Sequence, residues 1–296
     1  MIPTIILNNG TPIPQLGFGT LKIPPDRAPT PENARKTADV VRLALQIGYR
    51  HIDTAQMYGN EMGVGLALAE SGIARDEIYI TTKLGNAKHR PDDVRHSFDQ
   101  SMERLDLDHL DLFLMHWPLP TLYDGDFVST WQSMASLIGS GRLRSVGVSN
   151  FQSTHLDRIV TATGVVPAVN QIEVHPYFRN DAARAASARH GVMIEAWSPL
   201  GQGTVLQDSV IAAIARTSGK SMAQVVLRWH IQHGHAIFPK STHEERMREN
   251  LDIFDFALST GEMARIDALD RGEAGRIGPN PDTFAWVPSA QTPKPA

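Results

Sequence analysis

The run IYITTKLGNAKHRPDDVRHSFDQSMERLDLDHLDLFLMH, residues 78–116, places a strand, a helix and a second strand in succession. Its first part, Ile78–Lys83, and its last part, Asp111–His116, are short apolar segments of the kind that form buried strands. Between them, apolar residues recur with the spacing of one helical face, at Val94, Phe98, Met102 and Leu105. This order predicts two parallel strands joined by a right-handed crossover.

The same alternation extends over most of the chain. Six more segments have the character of buried strands: Gln15–Gly19, Tyr49–Asp53, Ser145–Ser149, Ala168–Glu173, Val192–Trp197 and His235–Pro239. A second helical face lies between the first two of these, at Ala34, Ala38, Val41 and Leu45. Eight strands that alternate with helices predict an α/β protein, and at this length a closed (β/α)8 TIM barrel, a fold of typically ~250 residues. An open, doubly wound sheet is the runner-up.

The two ends of the chain lack this alternation. TIILNNGTPIP, residues 4–14, has a turn signal at Asn8-Asn9-Gly10, which predicts an N-terminal β-hairpin that caps the bottom of the barrel. From Gly272 to Ala296 the chain is rich in Gly and Pro, which predicts a C-terminal loop lying across a surface. No linker or change of composition interrupts the chain, so residues 1–296 are expected to form one barrel domain.

Composition excludes several classes of protein. The chain has no cysteine, which excludes disulfides, thiolate nucleophiles and cysteine-ligated zinc, and no metal site is expected. A net charge of -4 and a pI near 6.3 argue against nucleic acid or an anionic membrane as partner. The start of the chain lacks the pattern of a signal peptide, and no apolar run approaches the roughly 20 residues of a membrane helix. A soluble, cytoplasmic protein is the expectation.

Polar residues stand at the ends of successive predicted strands. Asp53 ends the second strand and Tyr58 follows it, while Lys83 ends the third strand and His116 the fourth. In a (β/α)8 barrel, catalytic groups come from these strand ends. Taken singly, such an Asp is more often a helix cap, such a Lys a solvated charge, and such a His a core residue. Their joint occurrence at successive strand ends indicates a site.

These residue types suit the reduction of a carbonyl group, which needs a hydride at carbon and a proton at oxygen. A phenol such as Tyr58 can supply the proton, but its usual pKa of about 10 makes it a reluctant donor. The Lys83 ammonium would stabilise the phenolate and lower that pKa, and Asp53 would hold the lysine in place. His116 would orient the carbonyl oxygen or share in proton delivery.

Several stretches resemble the aldo-keto reductase family, in the expected order: HIDTAQMYGNE, ITTKL, LMHWP, VGVSNF, VNQIEVHP, AWSPLGQG and FPKSTHEERMRENLDIFDF. Within the family, two runs that overlap these stretches, LRWHIQHGHAIFPKS and GVVPAVNQIEVHP, are most similar to the bacterial diketogluconate reductases. The resemblance extends from Ile5 to Asp270. It implies a monomeric, NADPH-dependent oxidoreductase that reduces aldehydes or ketones to alcohols. The family's proton donor falls on Tyr58, and its partners fall on Asp53, Lys83 and His116.

The usual dinucleotide fingerprint, G-x-G-x-x-G after a strand, is absent. Gly17-Phe18-Gly19 and Gly63-Val64-Gly65 both lack the third glycine, and the second lies in an expected helix. This argues against a Rossmann module but not against a nicotinamide cofactor. In FPKSTHEER, residues 238–246, a strand exit leads into a helix start, where backbone amides attract phosphate. By itself this motif also fits a helix cap followed by a solvated face.

The resemblance assigns the contacts to NADPH residue by residue. The adenosine end falls on Lys240, Ser241 and Thr242 for the 2′-phosphate and on Arg246 and Asn250 for the adenine. The remaining contacts are Ser149, Asn150 and Gln171 for the nicotinamide amide, Trp197 against its ring, Ser198, Leu200 and Gln202 for the pyrophosphate, and Gly19, Thr20 and Asp53 on the nicotinamide side. For Trp197 alone, core packing is the alternative interpretation.

The same residues suggest three other interpretations. Tyr79 and Lys83 spell the Y-x-x-x-K pair of short-chain dehydrogenases, but in a strand the two lie roughly 13 Å apart at about 3.3 Å per residue, so that pairing is rejected. A glycoside hydrolase with Glu173 and Glu195 as its carboxylates would leave Tyr58 and Lys83 unexplained. A non-catalytic NADPH-binding sensor or scaffold subunit on the same fold is the main alternative to an enzyme.

The substrate is expected to be a small carbonyl compound that contacts Tyr58, His116 and Trp117. Gly85 stands where many relatives have Trp, and Leu21-Lys22 where several have an aromatic residue, which predicts an open pocket with Trp117 as its aromatic wall. Further contributors to this pocket are Met57, Arg276 and Phe284. A compact, polar keto or aldehyde compound such as a keto-sugar acid is expected, with Arg276 as the partner of its carboxylate.

Overall fold

The computed structural model describes residues 2–24 and 28–288. Strands β1 (Thr4–Ile6) and β2 (Pro12–Pro14) form an antiparallel hairpin in which Ile5 lies opposite Ile13. Its turn needs Gly10, whose φ of 83° is unfavourable for residues with a Cβ atom. Ile13 is fully buried and packs with Tyr79 and Leu112 inside the barrel. The predicted hairpin and its position as a plug are therefore confirmed.

The next eight strands form one parallel sheet with each strand beside its sequence neighbours. They are β3 (Phe18–Gly19), β4 (His51–Asp53), β5 (Tyr79–Leu84), β6 (Leu110–Met115), β7 (Leu143–Ser149), β8 (Val169–Glu173), β9 (Met193–Trp197) and β10 (Ala236–Ile237). The sheet closes on itself through a parallel bridge between Leu16 and Ile237. There the Gly17 amide donates to the Ile237 carbonyl at 2.9 Å. This closure confirms the (β/α)8 barrel and excludes the open sheet.

Helices surround the barrel. They are α1 (Pro31–Ile47), α2 (Glu61–Glu70), α3 (Pro91–Leu105), α4 (Phe127–Ala135), α5 (Ser153–Thr163), α6 (Asp181–Arg189), α7 (Ser209–Ser218), α8 (Met222–Gln232), α9 (Glu244–Leu251) and α10 (Thr260–Asp267). Short 3-10 helices cover Gln56–Tyr58, Arg75–Glu77, Tyr123–Gly125, Gly201–Gln207 and Gly272–Gly275. The helical faces predicted from the apolar spacing in α1 and α3 are the buried ones. Thr30 caps α1, its hydroxyl accepting from the Asn33 amide at 3.2 Å.

The Gly63-Val64-Gly65 motif lies inside α2 and serves helix packing. A Cβ atom at Gly63 would lie 2.5 Å from the Ala34 carbonyl oxygen, and one at Gly65 would lie 2.4 Å from that of Leu105. Glycine therefore lets α2 approach its neighbours closely. This agrees with the conclusion that the motif is not a dinucleotide-binding loop.

The first and last barrel strands are shorter than predicted. Gln15–Gly19 contains only Phe18–Gly19 as regular strand, and His235–Pro239 contains only Ala236–Ile237. Both lie at the seam, where the sheet closes through one isolated bridge instead of a full ladder. Pro239 has no N–H with which to extend the pairing.

Residues 272–288, called here the C-terminal strap, lie over the carboxyl ends of the strands. The Ile277 and Gly278 amides donate to the Glu173 carboxylate at 2.6 and 2.9 Å. Farther along, Phe284 packs on Trp117, with ring centroids 4.2 Å apart. The predicted loop thus covers the mouth of the barrel, and its last part, residues 289–296, lies outside the described residues. The single-domain assignment also includes residues 1 and 25–27, which are not described, and it stays a prediction.

None of the helices in residues 2–24 and 28–288 is both long and apolar enough to span a bilayer.

Candidate active site

Lys83 and Asp53 form a buried ion pair at the carboxyl ends of β5 and β4. The Lys83 ammonium donates to both Asp53 oxygens, at 2.7 and 2.8 Å, and to the Thr54 carbonyl at 2.9 Å. Burial by itself lowers the pKa of Lys83, but the charge of Asp53, the Tyr58 phenol and the hydrogen bond to Asp53 outweigh it and raise that pKa above its usual value. The ammonium is therefore a fixed positive charge inside the barrel.

Tyr58 ends the 3-10 helix Gln56–Tyr58, directly after β4. Its hydroxyl lies 3.5 Å from the Lys83 ammonium nitrogen, which is also 5.0 Å from the centre of the Tyr58 ring. Only 8% of the tyrosine is exposed. The phenol therefore faces a positive charge, which favours its ionised form, in a site where little water screens that charge.

His116 follows β6 and completes the group. Its ring lies edge-on to the Tyr58 ring, with centroids 5.7 Å apart and an interplanar angle of 73°. Its carbonyl oxygen accepts from the Asn150 side chain at 2.9 Å. The structure therefore brings together all four residues predicted as catalytic, which come from three neighbouring strand ends.

Gln171 extends this group toward the barrel interior. Its side-chain nitrogen donates to Asp53 Oδ2 and to Glu195 Oε2, both at 2.8 Å. Burial first, and the charge of Asp53 second, raise the pKa of Glu195 to about 8. The sequence predicts that Gln171 contacts a nicotinamide amide; its nitrogen is committed to the two carboxyl groups, which leaves its oxygen for that contact.

Three more predicted cofactor residues form one network at the mouth of the barrel. The Trp197 indole donates to Asn150 Oδ1 at 2.8 Å, and the Asn150 nitrogen donates to the Ser149 hydroxyl at 3.0 Å. That hydroxyl in turn donates to the Gln171 carbonyl at 2.7 Å. Asn150 has a φ of 64°, a left-handed conformation that Asn tolerates better than most residues. The network fixes the orientation of the Asn150 amide and of the Trp197 ring.

The remaining predicted residues on this side lie in loops after β3 and β9. Thr20 donates from both its amide and its hydroxyl to the Asp53 carbonyl, at 3.0 and 2.9 Å, so Gly19 and Thr20 lie beside the ion pair. Ser198 and Gln202, with φ of 49° and 53°, lie on either side of Leu200 in an irregular turn at the exit of β9.

The predicted phosphate residues lie at the exit of β10 and the start of α9. The Ser241 hydroxyl accepts from the His243 amide at 3.0 Å, which closes the turn before the helix. Lys240, Thr242 and Arg246 are exposed, and neither cation is ion-paired among the described residues. Asn250 is buried on the same helix. Two free cations beside a helix N-terminus suit a phosphate group.

Two residues near Tyr58, Gln56 and Asn60, support the site but are not predicted from the sequence. The Gln56 nitrogen donates to the Ser97 carbonyl and the Ser101 hydroxyl, at 3.0 and 2.8 Å, while its oxygen accepts from the Gly85 amide at 2.7 Å. Asn60 accepts from the Thr54 hydroxyl at 2.6 Å. Together they hold the turn that carries Tyr58. Their position in the sequence could have indicated this role, because both amide side chains lie two residues from Tyr58 in the same turn.

The substrate side is walled by Trp117, which packs against Phe284 of the C-terminal strap. Arg276 does not serve as a free cation there. It binds both Glu273 oxygens at 2.8 Å, and its guanidinium lies 4.4 Å from the centre of the Phe178 ring. The expectation that Arg276 awaits a substrate carboxylate is therefore not supported.

The structure also shows the surroundings of Tyr79, Glu173 and Glu195, the residues of the alternative interpretations. Tyr79 packs at the plugged end of the barrel, with its ring 4.7 Å from that of His51, so it is no partner of Lys83. Glu173 binds the strap amides and the His175 ring at 3.0 Å, while Glu195 binds Gln171. Both carboxyl groups are engaged inside the protein, which argues against a hydrolytic pair.

Comparison with known proteins agrees with this geometry. The model described as "Aldo/keto reductase family" matches residues 15–271. This chain belongs to the aldo/keto reductase family. It is 47% identical to an aldo-keto reductase of Mycolicibacterium smegmatis, over 97% of the chain and 100% of that relative. It is 43% identical to a glyoxal reductase of Bacillus subtilis, over 96% of the chain and 98% of that relative.

Among solved structures, this aldo/keto reductase is similar to a mutant of Gox0644 in complex with NADPH. The two share 43% identity and a TM-score of 0.88, over 96% of this chain and 99% of the other. Family membership confirms the resemblance seen in the sequence, and it removes the glycoside hydrolase alternative. The narrower resemblance to diketogluconate reductases stays a prediction.

Proposed function

We propose that this aldo/keto reductase uses NADPH to reduce an aldehyde or ketone to an alcohol, with Tyr58 as the proton donor. The observation that carries the proposal is the buried Lys83 ammonium, held by Asp53 and lying 3.5 Å from the Tyr58 hydroxyl. When Tyr58 gives up its proton, the phenolate forms beside a fixed positive charge, so proton transfer to a carbonyl oxygen is easier than from a free phenol.

Each member of the set has a separate task. Asp53 keeps Lys83 charged and holds its ammonium 3.5 Å from the phenol oxygen, because two of the three ammonium hydrogens are bonded to that carboxylate. His116, edge-on to Tyr58, is in position to orient the carbonyl oxygen. Trp117 and Phe284 would exclude water from the other side of the substrate.

The residues of this chain fit NADPH, which when bound supplies a hydride to the carbonyl carbon. At one end, Ser149 and Asn150 offer buried, oriented polar groups beside the flat Trp197 ring. At the other end, exposed Lys240 and Arg246 lie at the start of α9, where a 2′-phosphate would find two positive charges. This pair of cations supports a preference for NADPH over NADH. A Gox0644 mutant in complex with NADPH is a close structural neighbour.

The proposed substrates are compact, polar carbonyl compounds, including dicarbonyls and keto-sugar acids. Support comes from Gly85, which leaves the pocket open where a Trp would narrow it, and from the relative named glyoxal reductase. The pairing of Arg276 with Glu273 removes the cation that would have favoured keto-sugar acids over neutral compounds. We further propose that the enzyme works as a monomer in the cytoplasm, which sedimentation and cell fractionation would test.

The test is nicotinamide absorbance over time, with NADPH and NADH, across aldehydes, dicarbonyls and keto-sugar acids. Tyr58→Phe should lower kcat by roughly 10²-fold or more, the usual range for loss of a general acid. Tyr79→Phe, at the plugged end of the barrel, is the matched control and should retain activity. NADPH binding without turnover of any substrate would favour the alternative of a non-catalytic sensor or scaffold subunit.

A further inference from the structure

Glu195 carries a carboxyl group in the barrel interior. This group has no role in the proposed reaction. It projects from β9, opposite Gln171 on β8 and Ala236 on β10, and its exposed fraction is 0%. Its Oε2 atom accepts from the Gln171 nitrogen at 2.8 Å. Its Oε1 atom has no hydrogen-bond partner among the described residues. A buried, ionised carboxylate with a single hydrogen bond would be strongly disfavoured.

The charges around Glu195 compensate a negative charge on it only in part, because the attraction of Lys83 is weaker than the repulsion of Asp53. Lys83 is the ammonium group of this interior, and it directs its hydrogens to Asp53 and to the Thr54 carbonyl. Gln171 uses both hydrogens of its nitrogen, one for Asp53 and one for Glu195. With Asp53 ionised and paired with Lys83, the interior is neutral only if Glu195 keeps its proton.

The other titratable groups that face this region add no positive charge. On β5, Tyr79 lies below Lys83, and on β4, His51 contacts the Tyr79 ring. Burial lowers the pKa of His51 to about 3, so its imidazole is neutral. On the β10 side, His235 binds His230 of α8, with 3.1 Å between their Nδ1 atoms. The pKa of Glu195, raised to about 8 by burial and by the charge of Asp53, agrees with this account.

We propose that Glu195 is a positioning residue that acts as a neutral acid: through Gln171 it holds the Asp53–Lys83 pair, and when it loses its proton Tyr58 becomes a weaker acid. The proton leaves for solvent, and the negative charge that remains lies beneath the site on the far side of Gln171. A negative charge there disfavours the phenolate that proton transfer must produce. The second half of this proposal rests on the proposed function, whereas the first half does not.

The first test measures protein stability and needs no substrate. Folded Glu195 keeps its proton up to about pH 8, whereas an unfolded glutamate releases it near pH 4.5. Between these values the folded state binds one more proton, so rising pH favours unfolding. Glu195→Gln removes this effect while keeping an oxygen that accepts from Gln171. The unfolding constant of the wild type relative to that of the variant should rise by up to about tenfold per pH unit within this window.

Urea unfolding of both proteins at pH 5, 6, 7 and 8 gives this ratio. A ratio that stays constant with pH would overturn the first half of the proposal. Glu173→Gln is the matched control on the neighbouring strand, because Glu173 accepts from two amides and should not show the same trend. If Glu195→Gln does not fold, infrared difference spectra of the wild type between pH 6 and 9 should show a protonated carboxyl group that ionises near pH 8.

The second test uses alcohol oxidation with NADP⁺, in which Tyr58 must act as a base. In Glu195→Gln no charge appears beneath the site, so the rise of kcat with pH should move to lower pH, by about one pH unit or less. A variant that changes stability as expected but leaves this profile unchanged would overturn the second half. Failure of the proposed function is distinguished separately, because the wild type would then turn over no substrate, or Tyr58→Phe would retain full activity.

Discussion

The Lys83 ammonium binds both carboxylate oxygens of Asp53, at 2.7 and 2.8 Å, in a part of the barrel where the lysine is fully buried. Such a pair costs desolvation on both sides and is a poor choice for stability alone. Its value lies in the position of the Tyr58 hydroxyl, 3.5 Å from the ammonium. The fold therefore maintains a buried charge where the proposed chemistry needs one.

Asp53→Asn should damage both activity and stability. The variant leaves the Lys83 ammonium buried without its counter-charge, a change that costs about 3–5 kcal/mol in comparable pairs. Lys83 would then release its proton more readily, and the phenolate of Tyr58 would lose its stabilising charge. We expect kcat to fall by roughly 10²-fold, as for loss of acid catalysis. Steady-state kinetics and urea unfolding measure the two effects.

A double variant separates the effect of Asp53→Asn on stability from its effect on activity. Asp53→Asn combined with Lys83→Met removes both charges, so it should recover much of the lost stability while remaining inactive. If the double variant were no more stable than Asp53→Asn alone, the buried charge would not be the cause of the loss. If Asp53→Asn kept its full kcat, the task given to Asp53 would be wrong.

The sequence was sufficient to predict the architecture because the barrel strands are short, apolar and regularly spaced. Residues 78–116 form β5, α3 and β6, as predicted, and the hairpin turn at Gly10 follows from its local residues. The strand ends at the seam were less predictable, since pairing of Leu16 with Ile237 depends on closure between distant segments. Closure is a long-range property that local propensities do not contain.

The site was predictable only in part, for a similar reason. Asp53, Tyr58, Lys83 and His116 stand at strand ends, a position that the sequence reveals. The bridge from Gln171 to Glu195 depends on the register between β8 and β9, and the bond from Gln171 to Asp53 depends on side chains that meet across the barrel. No pattern within β8 or β9 indicates either contact. The pairing of Arg276 with Glu273 is local, three residues apart, yet whether it forms depends on the course of the strap.

Gln56→Ala tests how the turn that carries Tyr58 is held. The variant removes hydrogen bonds to Ser97, Ser101 and Gly85 and leaves their buried groups unsatisfied, at a cost of about 1–3 kcal/mol. Because the turn then positions Tyr58 less well, kcat should fall by roughly tenfold, while the Kd for NADPH should change little. Stopped-flow binding and steady-state kinetics measure these quantities.

Gln100→Ala is the matched control for that experiment. Gln100 lies on α3, the helix that Gln56 contacts through Ser97 and Ser101, but its side chain bonds His96 at the surface, at 3.0 Å. We expect the control to match the wild type in kcat and stability. Equal kcat for Gln56→Ala and the control would contradict the positioning of Tyr58 by Gln56.

The buried pair of His230 and His235 should make the stability of the protein sensitive to acid. The His230 Nε2 atom lies 3.1 Å from the Pro199 carbonyl, which can only accept, so Nε2 carries the hydrogen. Its Nδ1 atom must then accept from His235 Nδ1, 3.1 Å away, and a proton on that atom would break the pair. Burial first, and the charges of nearby His175, His233 and Arg184, lower the pKa of His230 to about 3. Burial likewise lowers the pKa of His235.

Because the pKa of His230 is lowered in the folded state, acid destabilises the protein. An unfolded histidine takes up a proton below about pH 6.5, whereas His230 in the folded state does so only near pH 3, so stability is lost as pH falls through this window. His230→Asn should be less stable at pH 7, by about 1–3 kcal/mol for a broken buried hydrogen bond, but should lose less on acidification than the wild type does. The exposed His96→Asn serves as control and should follow the wild type. Urea midpoints at pH 7, 6 and 5 measure the stability of the wild type and of both variants. Equal losses of stability in the wild type and in His230→Asn would show that His230 does not govern acid sensitivity.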